Sequence, residues 1–263
     1  MRFPPGLALV FNILSPYILT AKAVLQIDPS AKQPQEQVPV RFEKRISVLV
    51  ADDHPVFRQG LVSLLSLLPG MEVIGEAANG RIAVEQVKIH EPDVVLMDIG
   101  MPELNGLEAT RLIKKYAPSS KVLVISGYDN DEYVREIVKS GANGFVLKNT
   151  PVEVLQQAII AVSRGKEFFS PSVSDAVADC RLTSGKSRLS ADDRRKKKLT
   201  TREREILQLV AEGKKHSRIA QLLHISIRTV DTHRNNILKK LGLHDAASLV
   251  TYAIKNGIII LPR

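Results

Sequence analysis

Five short runs rich in β-branched residues recur between Ile46 and Lys148, each followed by a segment of helical periodicity. This alternation narrows the choice of fold more than any other feature. The runs are ISVLVA (46–51), MEVIGEA (71–77), DVVLMD (93–98), KVLVIS (121–126) and GFVLK (144–148). They are too apolar to leave one face in water, so helices must cover both faces of the sheet they build. Helical stretches are expected near 55–68, 80–90, 105–115, 131–140 and 151–164, several closed by Pro69, Pro92, Pro118, Gly141 or Gly165.

Five successive βα units predict a flavodoxin-like, doubly wound, five-stranded parallel sheet of order 2-1-3-4-5 over residues 46–170. Past Phe169 the pattern dissolves into Ser, Asp, Lys and Arg with no apolar period, which reads as a linker over 171–198. From Leu199 helical periodicity returns without strands. Thr200 and Glu203 fit a capping box, and a helix to about Glu212 stops at Gly213. A short helix near 217–223 follows. Ser226 then caps a helix over 227–241 that ends at Gly242, and a last helix spans 245–255. Residues 199–263 therefore form a small all-α helix-turn-helix domain.

The charge follows the same division. Residues 46–170 hold 12 Lys and Arg against 16 Asp and Glu, a net −4, whereas residues 194–263 hold 16 against 5, a net +11. An acidic control module joined to a basic end that meets a polyanion accounts for this asymmetry better than the overall +9 does. A hydrophobic content of 44% excludes a wholly disordered or fibrous chain, and the single cysteine, Cys180, excludes an intramolecular disulfide framework and fits a reducing compartment. Residues 1–45 are expected to be a disordered or added extension. Arg2 and the apolar run Leu7 to Leu19 outline a signal peptide, but Pro4, Pro5 and Pro16 interrupt it. No run reaches the roughly 18–20 apolar residues that span a bilayer, so a cytoplasmic protein without a membrane partner is expected.

Three carboxylates fall at the carboxyl ends of neighbouring strands: Asp52 and Asp53 after the first, Asp98 at the end of the third. Such sheets bind ligands above that edge. Three like charges there repel unless a cation neutralises them, and all-oxygen ligation with room for water suits Mg²⁺. Ser126 and Lys148, ending the fourth and fifth strands, join the same rim. Any one of these aspartates alone reads better as the cap of a following helix; five fitting residues at the strand ends favour a site.

The segments ADDHPVFRQGL, VVLMDIGMPELNGLE, VLVISGYD and GANGFVLKNTP resemble the receiver domain of bacterial response regulators over about 46–165. The resemblance implies that Asp98 is the phosphoacceptor, charged by a sensor histidine kinase. It implies further that Asp52, Asp53, Asp98 and the backbone carbonyl of Gly100 hold Mg²⁺, that Ser126 and Lys148 meet the phosphoryl group, and that Phe145 is the aromatic switch residue. Phosphoryl transfer requires an in-line nucleophile, a divalent ion and a cation for the equatorial oxygens, which Asp98, Mg²⁺ and Lys148 would supply. Gly100 departs from the usual pattern, in which a side chain stands there; this leaves ligation by its carbonyl intact and leaves the phosphate lifetime open.

Residues 199–257 resemble the LuxR-type helix-turn-helix domain, and the two domains together match the NarL/FixJ family. Ile219, Leu222, Leu223, Val230, Ile237, Leu238 and Leu241 recur at helical spacing as a core. The other faces offer Arg228, Thr229, Asp231, Thr232, His233, Arg234, Asn235 and Lys239 to phosphates and base edges. The resemblance makes 227–241 the recognition helix, with Asp231, Thr232 and Asn235 at base edges and Thr229, Arg234 and Lys239 at phosphates. An intrahelical pair of Asp231 with Arg228 or Arg234, or simple solvation, is an equal alternative, and His233 reads as well as a packing or phosphate contact. The run Arg194 to Lys198 reads first as a solvated linker.

A phosphorylation-controlled transcription factor is therefore expected, not an enzyme, with double-stranded DNA, a histidine kinase and a second copy on DNA as partners and RNA polymerase as a further candidate. The rivals are a Mg²⁺-dependent phosphohydrolase using Asp98 as nucleophile, for which no second acid is placed to activate water, and a regulator acting without phosphorylation.

Overall fold

The computed structural model describes residues 45–127, 131–170, 173–174, 177–178 and 199–259. The expectations for residues 1–44, Cys180 and most of the linker fall outside these. Successive elements are β1 (Ile46–Ala51), α1 (Pro55–Leu67), β2 (Met71–Ala77), α2 (Gly80–His90), β3 (Val94–Asp98), α3 (Gly106–Tyr116), β4 (Lys121–Ser126), α4 (Asp131–Ser140), β5 (Gly144–Leu147), α5 (Val152–Ser163) and β6 (Phe168–Phe169). The helical part comprises α6 (Thr201–Ala211), α7 (His216–Leu223), α8 (Ile227–Leu241) and α9 (Ala246–Lys255).

The sheet is parallel with order β2-β1-β3-β4-β5-β6. The doubly wound order is as expected, with a sixth strand in addition. That strand is only two residues long and pairs Gly144 with Phe168 and Phe145 with Phe169, too short for any periodicity to betray it. Val48, Val50, Leu96, Leu123 and Val146 line one face, against α1 and α5, and Leu49, Val95, Met97, Val124 and Phe145 line the other, against α2, α3 and α4. This two-sided burial is the physical reason β1, β3, β4 and β5 read as continuous apolar runs. By contrast β2, at the edge of the sheet, leaves Glu72 and Glu76 exposed and so departs from the expectation that no strand has a face in water. Val173 and Val177, assigned to the linker by their polar surroundings, are buried on the second of these cores. The packed unit therefore reaches beyond residue 170.

The helical part has its own core of Ile206, Leu207, Leu209, Ile219, Leu223, Val230, Ile237, Leu249 and Ala253, with Leu222, Leu238 and Leu241 partly buried against it. The capping box closes as spaced: Thr200 accepts from the Glu203 amide, and the Glu203 carboxylate accepts from the Thr200 amide at 2.8 Å. Ser226 accepts from Thr229 at the start of α8, and Gly242 ends it in the left-handed region at φ 66°. Sheet and helical parts belong to one compact unit, Glu43–Arg263. Among the described residues no helix is long and apolar enough to cross a membrane.

Candidate functional site

Parallel register brings the acidic residues together. Ala51 pairs with Met97, Asp98 with Ile125, and Ser126 with Leu147, so Asp52, Asp53, Asp98, Ser126 and Lys148 come out at one edge of the sheet. Ligand atoms of Asp52, Asp53, His54 and Asp98 all lie within 4.8 Å of one another. Asp52 is fully buried; its Oδ1 accepts the His54 amide at 2.8 Å and its Oδ2 accepts Lys148 Nζ at 2.7 Å. Lys148 Nζ also stands 3.2 Å from Asp98 Oδ1 and 4.6 Å from the centre of the Phe57 ring. One ammonium thus bridges two buried carboxylates.

That single cation does not balance the cluster. Burial, outweighing Lys148 and reinforced by the Asp52 charge, pushes the Asp98 carboxyl up to about 6. Burial works against the charged form of Lys148, but the charge of Asp98 and the hydrogen bond to Asp52 prevail and raise it above the usual lysine value. A pocket of oxygen donors with surplus negative charge fits a hard divalent cation, and Asp53, the more exposed of the pair at 27%, faces the open side. Gly100 lines a cavity of about 270 Å³ with Asp53. Ser126 and Phe145 are buried, at 1% and 0% exposure.

Two neighbours were not foreseen. His54 is largely exposed, with Nδ1 at 2.8 Å from Asp53 Oδ1. Phe57 reaches Lys148 from the first turns of α1. The Asp-Asp-His-Pro run places His54 beside the acids, whereas a single sequence carries no signal for the Phe57 contact.

On α8 the polar residues fall on the side away from the core: Arg228, Asp231, Thr232, Asn235 and Lys239 are exposed, and Thr229, His233 and Arg234 half-buried. Thr232 Oγ1 donates to the Arg228 carbonyl at 2.9 Å, and Thr229 Oγ1 is hydrogen-bonded to Ser226 Oγ at 2.8 Å. Asp231 is paired with neither arginine; its Oδ1 lies 2.7 Å from His216 Nδ1 at the start of α7. The intrahelical pair is thereby replaced by a tie between the two helices of the motif, which sequence distance concealed.

Comparison with known proteins matches residues 48–160 to the family model "Response regulator receiver domain" and residues 197–253 to "Bacterial regulatory proteins, luxR family". The transcriptional regulatory protein DegU of Brevibacillus brevis is 37% identical over 226 residues, covering 82% of this chain and 95% of its own. The oxygen regulatory protein NreC of Staphylococcus carnosus is 35% identical, covering 81% and 99%. Among solved structures, the RcsB response regulator of Salmonella typhimurium is alike in fold at 24% identity and a TM-score of 0.55, covering 81% and 99%. The chain is a response regulator with a receiver and a LuxR-type DNA-binding domain, and it belongs to the NarL/FixJ family.

Proposed function

We propose that this chain is a cytoplasmic transcription factor switched by phosphorylation of Asp98 by a sensor histidine kinase, and that it binds double-stranded DNA as a dimer through α8. The observation that carries the reading is the Lys148 ammonium held between Asp52 and Asp98 at the carboxyl edge of the sheet. An Asp98 carboxylate oxygen attacks phosphorus in line, the bond from phosphorus to the kinase's histidine nitrogen breaks, and an acyl phosphate forms. Lys148 supplies positive charge for the transferred group, and Ser126, at the end of the neighbouring strand, is assigned to donate to it. Asp52, Asp53, Asp98 and the Gly100 carbonyl would hold Mg²⁺, which offsets the charge on the transferring phosphoryl group. Asp52 serves mainly through Lys148 and the turn into α1, since both its oxygens are engaged there.

On α8, Asp231, Thr232 and Asn235 are assigned to base edges and Arg228, Thr229, His233, Arg234 and Lys239 to the phosphate backbone. The tie of Asp231 to His216 makes this carboxylate the weakest of those assignments. Phosphorylation biases the receiver through Ser126 and Phe145 toward a conformation that favours DNA binding. The test incubates the full chain with a small acyl-phosphate donor and Mg²⁺. The wild type is expected to take up one phosphoryl group and Asp98→Asn none; uptake by Asp98→Asn overturns the assignment.

A further inference from the structure

The DNA-binding domain touches the receiver at the loop that follows Asp98. Gln208, on α6 and only 1% exposed, takes the Asn105 amide on its Oε1 at 2.8 Å and donates through Nε2 to the Met101 carbonyl at 3.0 Å. Glu212, at the end of α6, accepts the Glu103 amide at 3.1 Å and the Gln208 Nε2 at 2.8 Å. Asn105 Nδ2 donates to the Ile258 carbonyl at 2.9 Å while its Oδ1 caps α3. Five consecutive receiver residues, 101–105, are therefore gripped at three backbone positions and one side chain by the other domain.

Two features connect this contact with the acidic site. Glu103 is held in the left-handed region at φ 65°, a conformation a non-glycine residue keeps only where its surroundings impose it, and its amide is the one that Glu212 binds. Moreover, Gln208, Glu212 and Ile258 line the same open cavity as Asp53 and Gly100. The Glu212 carboxylate is itself drawn out of water: burial raises it above the usual glutamate value, against the hydrogen bonds from Gln208 and Glu103.

We infer that Gln208 and Glu212 are positioning residues for the cation pocket of the receiver, so that the docked DNA-binding domain completes that pocket. This rests on the reading of Asp52, Asp53, Asp98 and the Gly100 carbonyl as its ligands. Gln208 fixes the loop that carries Gly100, and Glu212 adds negative charge to the cavity that it lines together with Asp53. Both effects strengthen cation binding. By linkage, whatever docking adds to Mg²⁺ affinity, Mg²⁺ adds to docking by the same factor.

The experiment measures Mg²⁺ binding to the full chain by isothermal titration calorimetry, for wild type, Asp53→Ala, Glu212→Gln and the double substitution Gln208→Ala with Glu212→Ala. The wild type binds Mg²⁺, Asp53→Ala does not, and the double variant is expected to raise Kd at least fivefold. Any smaller rise overturns the inference, whether or not the two domains stay together. If the double variant fails to fold by circular dichroism, Glu212→Gln decides: it must raise Kd about twofold, and an unchanged Kd overturns the inference. Absence of Mg²⁺ binding in the wild type would instead overturn the assignment of the pocket itself.

Discussion

Gly106 opens α3 directly behind the acceptor strand, and a Cβ built there would lie 1.9 Å from the Asp98 carbonyl oxygen, 2.9 Å from its carbon and 3.0 Å from Met97 Cγ. The nearest atom is backbone and cannot rotate away, so Gly106→Ala forces α3 and β3 apart by about 1 Å. Overpacking of this kind costs about 1–3 kcal/mol, and a rigid obstacle belongs at the upper end. Alanine is otherwise favoured over glycine in a helix by roughly 1 kcal/mol, which leaves a net loss of about 2 kcal/mol. Gly60, on the exposed side of α1 with nothing within 4 Å, is the internal control. There the same substitution has no clash to meet and should stabilise by about 0.4–1 kcal/mol. Urea unfolding followed by circular dichroism reads both, and with a slope of roughly 1–3 kcal/mol per molar for a small domain the receiver midpoint should fall by about 1 M in Gly106→Ala and rise slightly in Gly60→Ala. Because the displaced atom belongs to Asp98, Gly106→Ala should also weaken Mg²⁺ binding. Midpoints moving the same way, or a Gly106→Ala receiver as stable as wild type, would refute the reasoning.

Three further outcomes are expected. The folded Asp98 carboxyl binds its proton more tightly than the unfolded one, so its contribution to stability is complete below pH 3.8 and is lost as pH rises through about 6. In chelator-treated buffer Asp98→Asn should therefore stabilise the receiver near pH 7 by up to about 3 kcal/mol and show little advantage at pH 4, as thermal unfolding at the two pH values will show. In the DNA-binding domain, burial of Glu203 is outweighed by the Lys240 and Thr200 hydrogen bonds, which hold its carboxyl below the usual 4.5. Its contribution is present above that value and disappears as pH falls through the lowered one, and Lys240→Met should reduce this acid sensitivity in a pH-dependent melting series, leaving the share that the Thr200 hydrogen bonds supply. Joint replacement of Arg234 and Lys239 by alanine should weaken DNA binding across sequences and flatten its salt dependence by about one unit of slope per lost phosphate contact; an unchanged slope in fluorescence anisotropy would remove both from the backbone set.

Strands β1, β2 and β4 and helices α2, α4 and α8 have the bounds their residue patterns predict, because each is terminated by a strong local signal such as Gly141, Ser226 or Gly242. The acid cluster was legible for a different reason. In a parallel sheet, strand ends share an edge, so Asp52, Asp53, Asp98 and Lys148 could be placed together without knowing any helix position. The domain contact was not legible. Gln208 and Glu212 look like the solvated side of an amphipathic helix, and only the observation that Ile206, Leu207, Gln208 and Leu209 are all buried reveals that α6 is covered on every side there. Four consecutive residues in a helix point in four directions, so such burial requires a second surface, which in this chain is the receiver loop. The link between His216 and Asp231 escaped likewise, since it joins residues on separate helices whose crossing no periodicity encodes.

The central claim is that the state of Asp98 governs DNA binding. Its most direct test is the affinity of the full chain, by fluorescence anisotropy, for a DNA fragment it selects from a random pool, before and after treatment with Mg²⁺ and an acyl-phosphate donor. The account predicts tighter binding after treatment in the wild type and no change in Asp98→Asn; equal responses in both proteins, or none in either, would contradict it.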